Sequence, residues 1–246
     1  MISDPVFYVA AIPCVLLYGM AKGGLGPAVG AIVVPIMSLV ISPVQAAAIL
    51  LPILCVIDIF TIRRFWGKFD KHHLKILLPA GIVGIVIASV LMGTLPPNVI
   101  RMMIGVIVIL FCLNYWSGGL LGNKKGGRLS GWLWGTIAGF TSTQIHAGGP
   151  PISIYLLPQN LDKIILMGTM AIFFAVVNYL KLIPYTLLGA LDLSNLLTSL
   201  LLMPLAPVGV KLGYLILYKV SQKAIYRFLY IALFLSGMKL VYDGLF

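Results

Sequence analysis

The sequence predicts an all-α integral membrane protein made of two inverted-topology repeats, each one broken, re-entrant helical element followed by three transmembrane helices, about eight helical elements in all. Three observations predict it. First, 61% of the 246 residues are apolar and only 9% charged, with a mean hydropathy of +1.08, whereas a soluble domain carries about 25% charged residues. Second, the apolar residues form six uninterrupted runs of spanning length and two longer runs that Gly/Pro clusters interrupt near the middle. Third, the basic residues gather in short clusters between the runs.

At about 20 residues per crossing, residues 44–62, 76–95, 99–121, 164–190, 193–217 and 224–242 each cross the bilayer unaided. The first broken element, residues 5–41, is interrupted at Lys22-Gly23-Gly24-Leu25-Gly26-Pro27. The second, residues 132–157, is interrupted at Gln144-Ile145-His146-Ala147-Gly148-Gly149-Pro150-Pro151. A continuous helix through the first region would be about 55 Å long, against a hydrocarbon core of about 30 Å, so the chain bends back. The N-terminal stretch carries Asp4 in place of a basic leader and no small-residue cleavage site, and is predicted to be retained.

The net charge of +11 comes from 17 Lys and Arg against six acids, all Asp. Nucleic-acid binding would need a contiguous basic stripe on a soluble face, and no such partner is expected. Arg63, Arg64, Lys68, Lys71 and Lys75 follow the first full span, and Lys124, Lys125 and Arg128 follow the third. Both exits fall on one side, which the positive-inside rule makes the cytoplasm. If each broken element returns to the side it left, Lys163, Lys219, Lys223 and Arg227 join them, and both termini of this multi-pass cell-membrane protein are extracytoplasmic.

A shift of 123 positions carries Gly26-Pro27 onto Gly149-Pro150, Pro35 onto Pro158 and Ala48-Ile49 onto Ala171-Ile172. The chain therefore reads as a single membrane domain, 1–246, with repeats at about 5–122 and 129–246. Three spans between the broken elements invert the second half. Inverted halves with paired helix breaks are the pattern of secondary transporters, whose site lies near the midplane at the repeat interface.

The breaks are the candidate site, because unwound backbone at membrane depth is tolerated only where protein buries it or a water-filled cavity borders it. Gly23, Gly24, Gly26, Gly148 and Gly149 would let backbone approach a ligand closely, or serve only tight helix packing. Helices starting after Gly26-Pro27 and after Gly149-Pro150 would point free N–H groups at the breaks, which suits an anion. Lys22 either adds a full positive charge there or snorkels to an interface. Gln144 can donate to an oxyanion, and His146 can donate or titrate. Thr141, Ser142 and Thr143 offer hydroxyls, with helix capping as the alternative. Asn178 and Lys181 share one face of the fourth span, although Lys181 lies near its outer end and could snorkel. Asp58, a turn and a half before Arg63 and Arg64, is expected to be neutralised by them, with proton coupling as the alternative role for it and for His146.

Enzymatic chemistry is not expected. There is no HExxH, no P-loop and no carboxylate pair, and the glycines of 19–26 follow no strand, so no catalytic residue, cofactor or metal site is predicted. Cys14, Cys55 and Cys112 sit singly in apolar runs and read as buried thiols.

The Gly-rich break with downstream Pro35, its echo at Ala147-Gly148-Gly149-Pro150 and the two-half organisation resemble the sulfite exporter TauE/SafE family of membrane permeases. The resemblance implies eight helical elements and transport of small sulfur-containing anions such as sulfite, thiosulfate or sulfonates. The second break carries Gln144 and His146 where a symmetrical copy would repeat Lys22 and Gly23. The expected function is secondary transport of such an anion by alternating access. An anion channel using the same breaks as a filter, or a non-transporting membrane subunit, are the alternatives. The expected partners are the anion, the lipid bilayer and a coupling ion, proton or sodium, with homo-oligomerisation left open.

Overall fold

A computed structural model describes residues 2, 4–30, 33–37, 40–91, 96–117 and 125–245. The expected span ends at Leu95 and Leu121, the first-repeat boundary at 122, and Lys124 of the second basic cluster lie outside them. The described residues are helical, with no strand among them. Helices α1 (Pro5–Met20), α2 (Pro27–Gly30) and α3 (Val33–Met37) form the first broken element. They are followed by α4 (Pro43–Phe65), α5 (Lys71–Val90) and α6 (Pro97–Trp116). The second broken element is α7 (Arg128–Ile145) and α8 (Gly149–Leu156), followed by α9 (Lys163–Leu187), α10 (Leu193–Leu202), α11 (Leu205–Lys219) and α12 (Gln222–Leu245).

Aspartates set many of the helix starts. Asp4, Asp70, Asp162 and Asp192 accept backbone N–H bonds from Val6, His73, Ile164 and Asn195 at 2.9, 2.9, 2.8 and 2.7 Å. Such caps stabilise a helix by about 1 kcal/mol each. The cap at Asp70 starts α5 five residues earlier than the apolar run suggests, and takes in His72, His73 and Lys75, which hydropathy alone rejects. Asp243 pairs with Lys239 one turn before it. Of the six acids, only Asp58 is buried.

Each break has a local cause. After α1 the backbone widens into a π-type turn over Ala21–Leu25, closed by a bond from the Gly26 N–H to the Ala21 carbonyl at 2.8 Å. Gly26 then takes φ 90°, which side-chain-bearing residues rarely adopt, and a Cβ there would lie 2.2 Å from Leu229 of α12. In α7 the helix ends at His146, held in the left-handed region at φ 54°, and Gly149-Pro150-Pro151 opens α8. Within the first element α3 packs against α1, and within the second α8 packs against α7. The two short helices that begin at the breaks, α2 and α8, pack against each other. Residues 5–25 by themselves match a membrane span in length and apolarity.

The fifth apolar run is not the unbroken span expected of it. It divides into α10 and α11, bent by 46° across Met203-Pro204. Proline removes a backbone donor and clashes with the preceding turn, an effect that hydropathy does not register.

Two seams of small residues hold the bundle. Gly19, Gly209 and Gly213 let α1 meet α11, where a Cβ at Gly213 would stand 2.2 Å from the Met20 carbonyl oxygen. Gly84 and Gly139 do the same for α5 and α7, at 2.1 and 2.2 Å from the Thr136 and Gly81 oxygens. Backbones this close pack by dispersion alone, which suits a lipid solvent. α4 lies beside α9, and α6 beside α12. Outward faces such as Val83, Val86 and Val90 on α5 and Leu197, Leu200 and Leu201 on α10 are apolar and exposed.

Candidate functional site

Among the described residues, the buried Lys and acidic side chains are Lys22, Asp58 and Lys181, and they converge where the breaks meet α4 and α9. Lys22, in the wide turn after α1, places its Nζ 2.5 Å from Asp58 Oδ1. Asn178 Nδ2, on α9, donates to Asp58 Oδ2 at 2.7 Å. The carboxylate is fully buried, with one of these donors on each oxygen. This overturns the expected neutralisation by Arg63 and Arg64, which are exposed at the end of α4, Arg64 lying over the Tyr214 ring. It also assigns the Lys22 charge to Asp58.

Lys181 meets different company. Its side chain is 0% exposed, so it does not snorkel, and its Nζ lies 3.3 Å from Ser142 Oγ and 3.2 Å from His146 Nδ1. His146 Nε2 lies 3.1 Å from the Tyr185 hydroxyl, which donates to the Thr143 carbonyl oxygen at 3.1 Å. One tautomer satisfies the chain: Nε2–H donates to Tyr185, and the Nδ1 lone pair accepts from Lys181. Lys181 is thus a fully buried lysine whose hydrogen-bond partners are neutral. Its nearest carboxylate belongs to the Lys22 pair.

The remaining expected residues divide. Gly148 and Gly149 line a cavity with Tyr18, Lys22, Pro27, Ser142, His146, Phe174 and Asn178. Gly23 and Gly24 face α11, where a Cβ would stand 2.4 and 2.3 Å from the Val210 and Gly213 oxygens. Gly26 faces Leu229. Gln144 Nε2 donates to the Ala88 carbonyl of α5 at 3.1 Å, away from the cavity. Thr141 and Thr143 donate to carbonyls of their own helix, at Ile137 and Gly139. The two helix starts are unequal: α8 has two turns behind its N–H groups, whereas α2 has one.

Tyr18, Phe174 and Tyr185 were absent from the sequence expectation. Residues 174, 178, 181 and 185 follow each other by four, three and four positions, the spacing of one helical face, and that pattern around Lys181 is a signal that could have found two of them. The Phe174 ring lies 5.8 Å from Lys22 Nζ, within cation–π range. With Lys22 and Pro27 it also borders a second cavity, lined further by Ala21, Met167, Met170 and Ala171. Each offers about 10 Å³ to the centre of a water molecule, room for roughly one water.

Helices of spanning length and an apolar exterior, with two lysines and one aspartate buried together where two helix breaks meet α4 and α9, define a polytopic membrane protein. The family model described as sulfite exporter TauE/SafE matches residues 11–240. The chain belongs to that family of sulfite-exporting membrane permeases, whose members are transporters rather than enzymes. Comparison with curated proteins and with solved structures gives no significant match.

Proposed function

We propose that the chain is a secondary transporter that carries a small sulfur-containing anion, sulfite, thiosulfate or an organosulfonate, across the cell membrane by alternating access, with the anion held at the two breaks. The observation that carries this reading is Lys181, a lysine with no exposure and only neutral hydrogen-bond partners, which acts as a cation when the anion binds. Leaving a charge buried without compensation costs several kcal/mol, and an anion in the adjoining cavity, beside Ser142, His146 and the start of α8, offsets that cost. In this reading the halves are inverted repeats. The packing partners support it, since α1 on α11 and α7 on α5 are the same pairing with the halves exchanged, and α4–α9, α6–α12 and α2–α8 are each paired with their own counterpart.

Cavities sized for about one water support a closed state in which the anion is admitted only when Phe174 and the breaks move apart. This favours alternating access over an open pore. The cytoplasmic side is the one bearing exposed Arg63, Arg64, Lys68, Lys223 and Arg227, with both termini opposite. Proteoliposomes loaded with labelled sulfite, thiosulfate or taurine are expected to show saturable flux of at least one of them. Flux that never saturates would indicate a channel, and no flux of any anion would refute the proposal.

A further inference from the structure

Resting on the transport reading above, we infer that the site carries one net positive charge, so that it takes a monovalent anion as it stands and a divalent anion only together with one proton, bound on Asp58. The count takes the buried cluster with both lysines protonated: Lys22 and Lys181 against Asp58. A monoanion beside Lys181 brings the buried charge to zero with the Lys22–Asp58 pair intact. A dianion leaves one negative charge in excess, and an uncompensated charge at this depth is the costly case.

The geometry shows where the compensating proton goes. Asp58 Oδ2 accepts from Asn178 and keeps that bond, whereas Oδ1 is held by Lys22. When Lys22 turns to the dianion, Oδ1 is freed and takes a proton from the aqueous side to which the cavity is open. The O–H bond breaks again when the anion leaves on the other side and Lys22 returns. One proton and one dianion cross in the same direction.

Other groups are less suited to the task. From the first broken element Asp58 faces Lys22 and Tyr18, from α9 Tyr179 and Lys181, and from its own helix Cys55. The Tyr179 hydroxyl donates to the Cys55 carbonyl at 3.2 Å. α3 has no titratable residue, α10 sets Asn195 against Gln45, and α11 sets Tyr214 against Arg64, both well along the helix from Asp58. Asp58 is the one acid in the cluster. His146 already has both ring nitrogens engaged.

The test uses the unmodified protein in proteoliposomes with the membrane potential clamped at zero. Thiosulfate serves as a permanently divalent probe and methanesulfonate as a permanently monovalent one. A gradient of one pH unit is expected to accumulate thiosulfate on the alkaline side by about tenfold, the ratio set by one proton per anion, and to leave methanesulfonate at equal concentrations. Thiosulfate flux that ignores the gradient, or no thiosulfate flux while methanesulfonate moves, overturns the proton rule and leaves the transport reading standing. Methanesulfonate driven by the gradient, as a neutral Lys181 would give, overturns the charge count. No flux of either anion overturns both readings. In Asp58→Asn that remains folded, thiosulfate should still move but the tenfold accumulation should fall to none, and Asp58→Glu should restore it. Accumulation that persists in Asp58→Asn removes Asp58 as the proton site.

Discussion

At the first break Lys22 reaches Asp58, 36 residues further along the chain, and at the second His146 reaches Lys181, 35 residues further along. The contact is built alike in both halves, from a residue in the break to a residue deep in the next long helix. Asp58 and Lys181 are themselves 123 positions apart, the shift that carries Gly26 onto Gly149. The electrostatic outcomes are opposite. The first half sets cation against anion, with Asn178 of the second half donating to the carboxylate, while the second sets a lysine against Ser142 and a neutral imidazole. A self-satisfied pair holds two elements together; a cation left with neutral partners is one a ligand can complete. Under the proposed transport function, the difference gives scaffold duty to the first half-site in the closed state and anion recognition to the second.

The sharpest way to break this contrast is to remove one member of the pair. Lys22→Met leaves a buried carboxylate with Asn178 alone and is expected to cost about 3–5 kcal/mol of stability, with most of it regained in the Lys22→Met/Asp58→Leu double variant. Thermal unfolding of the detergent-purified proteins reads both. A single variant as stable as the parent would mean that the pair holds nothing.

Lys181→Met is expected to behave in the opposite way. Anion affinity should fall at least about tenfold, or 1.4 kcal/mol, while the melting temperature without anion stays level or rises, because an uncompensated buried charge has been removed. Ligand-induced thermal shift with sulfite and with thiosulfate separates the two quantities, and undiminished affinity would reverse the assignment of the half-sites. The smallest effect is expected at Tyr185→Phe, which removes the hydrogen bonds to the Thr143 carbonyl and His146 Nε2 and loosens the ring that Lys181 leans on. A loss of about 1 kcal/mol, close to fivefold in affinity, should appear in the same titration, and a drop as large as that of Lys181→Met would make Tyr185 a direct ligand.

The breaks were legible because their causes are local. Gly26 at φ 90° and the prolines at 27, 150 and 151 break helices through backbone sterics that neighbouring residues cannot override. Gln144 lies in a break as expected, yet its side chain turns to α5, because position in a sequence does not say which neighbour a side chain meets. The bend at Met203-Pro204 was hidden for another reason. Both of its arms are apolar, and a sum over hydropathies is blind to a missing N–H.

The sequence by itself determined the solvent, the helical class, the two breaks and the residue types gathered in them, since transfer free energy and backbone conformation belong to each residue and its near neighbours. Only the tertiary structure decided which charges meet. Asp58 meets Lys22 and Asn178, 36 and 120 positions away along the chain, because α4 packs beside α9 and the wide turn after α1 packs against both. Coulomb energy depends on distance in space and on burial, and neither is a property of any stretch of sequence alone.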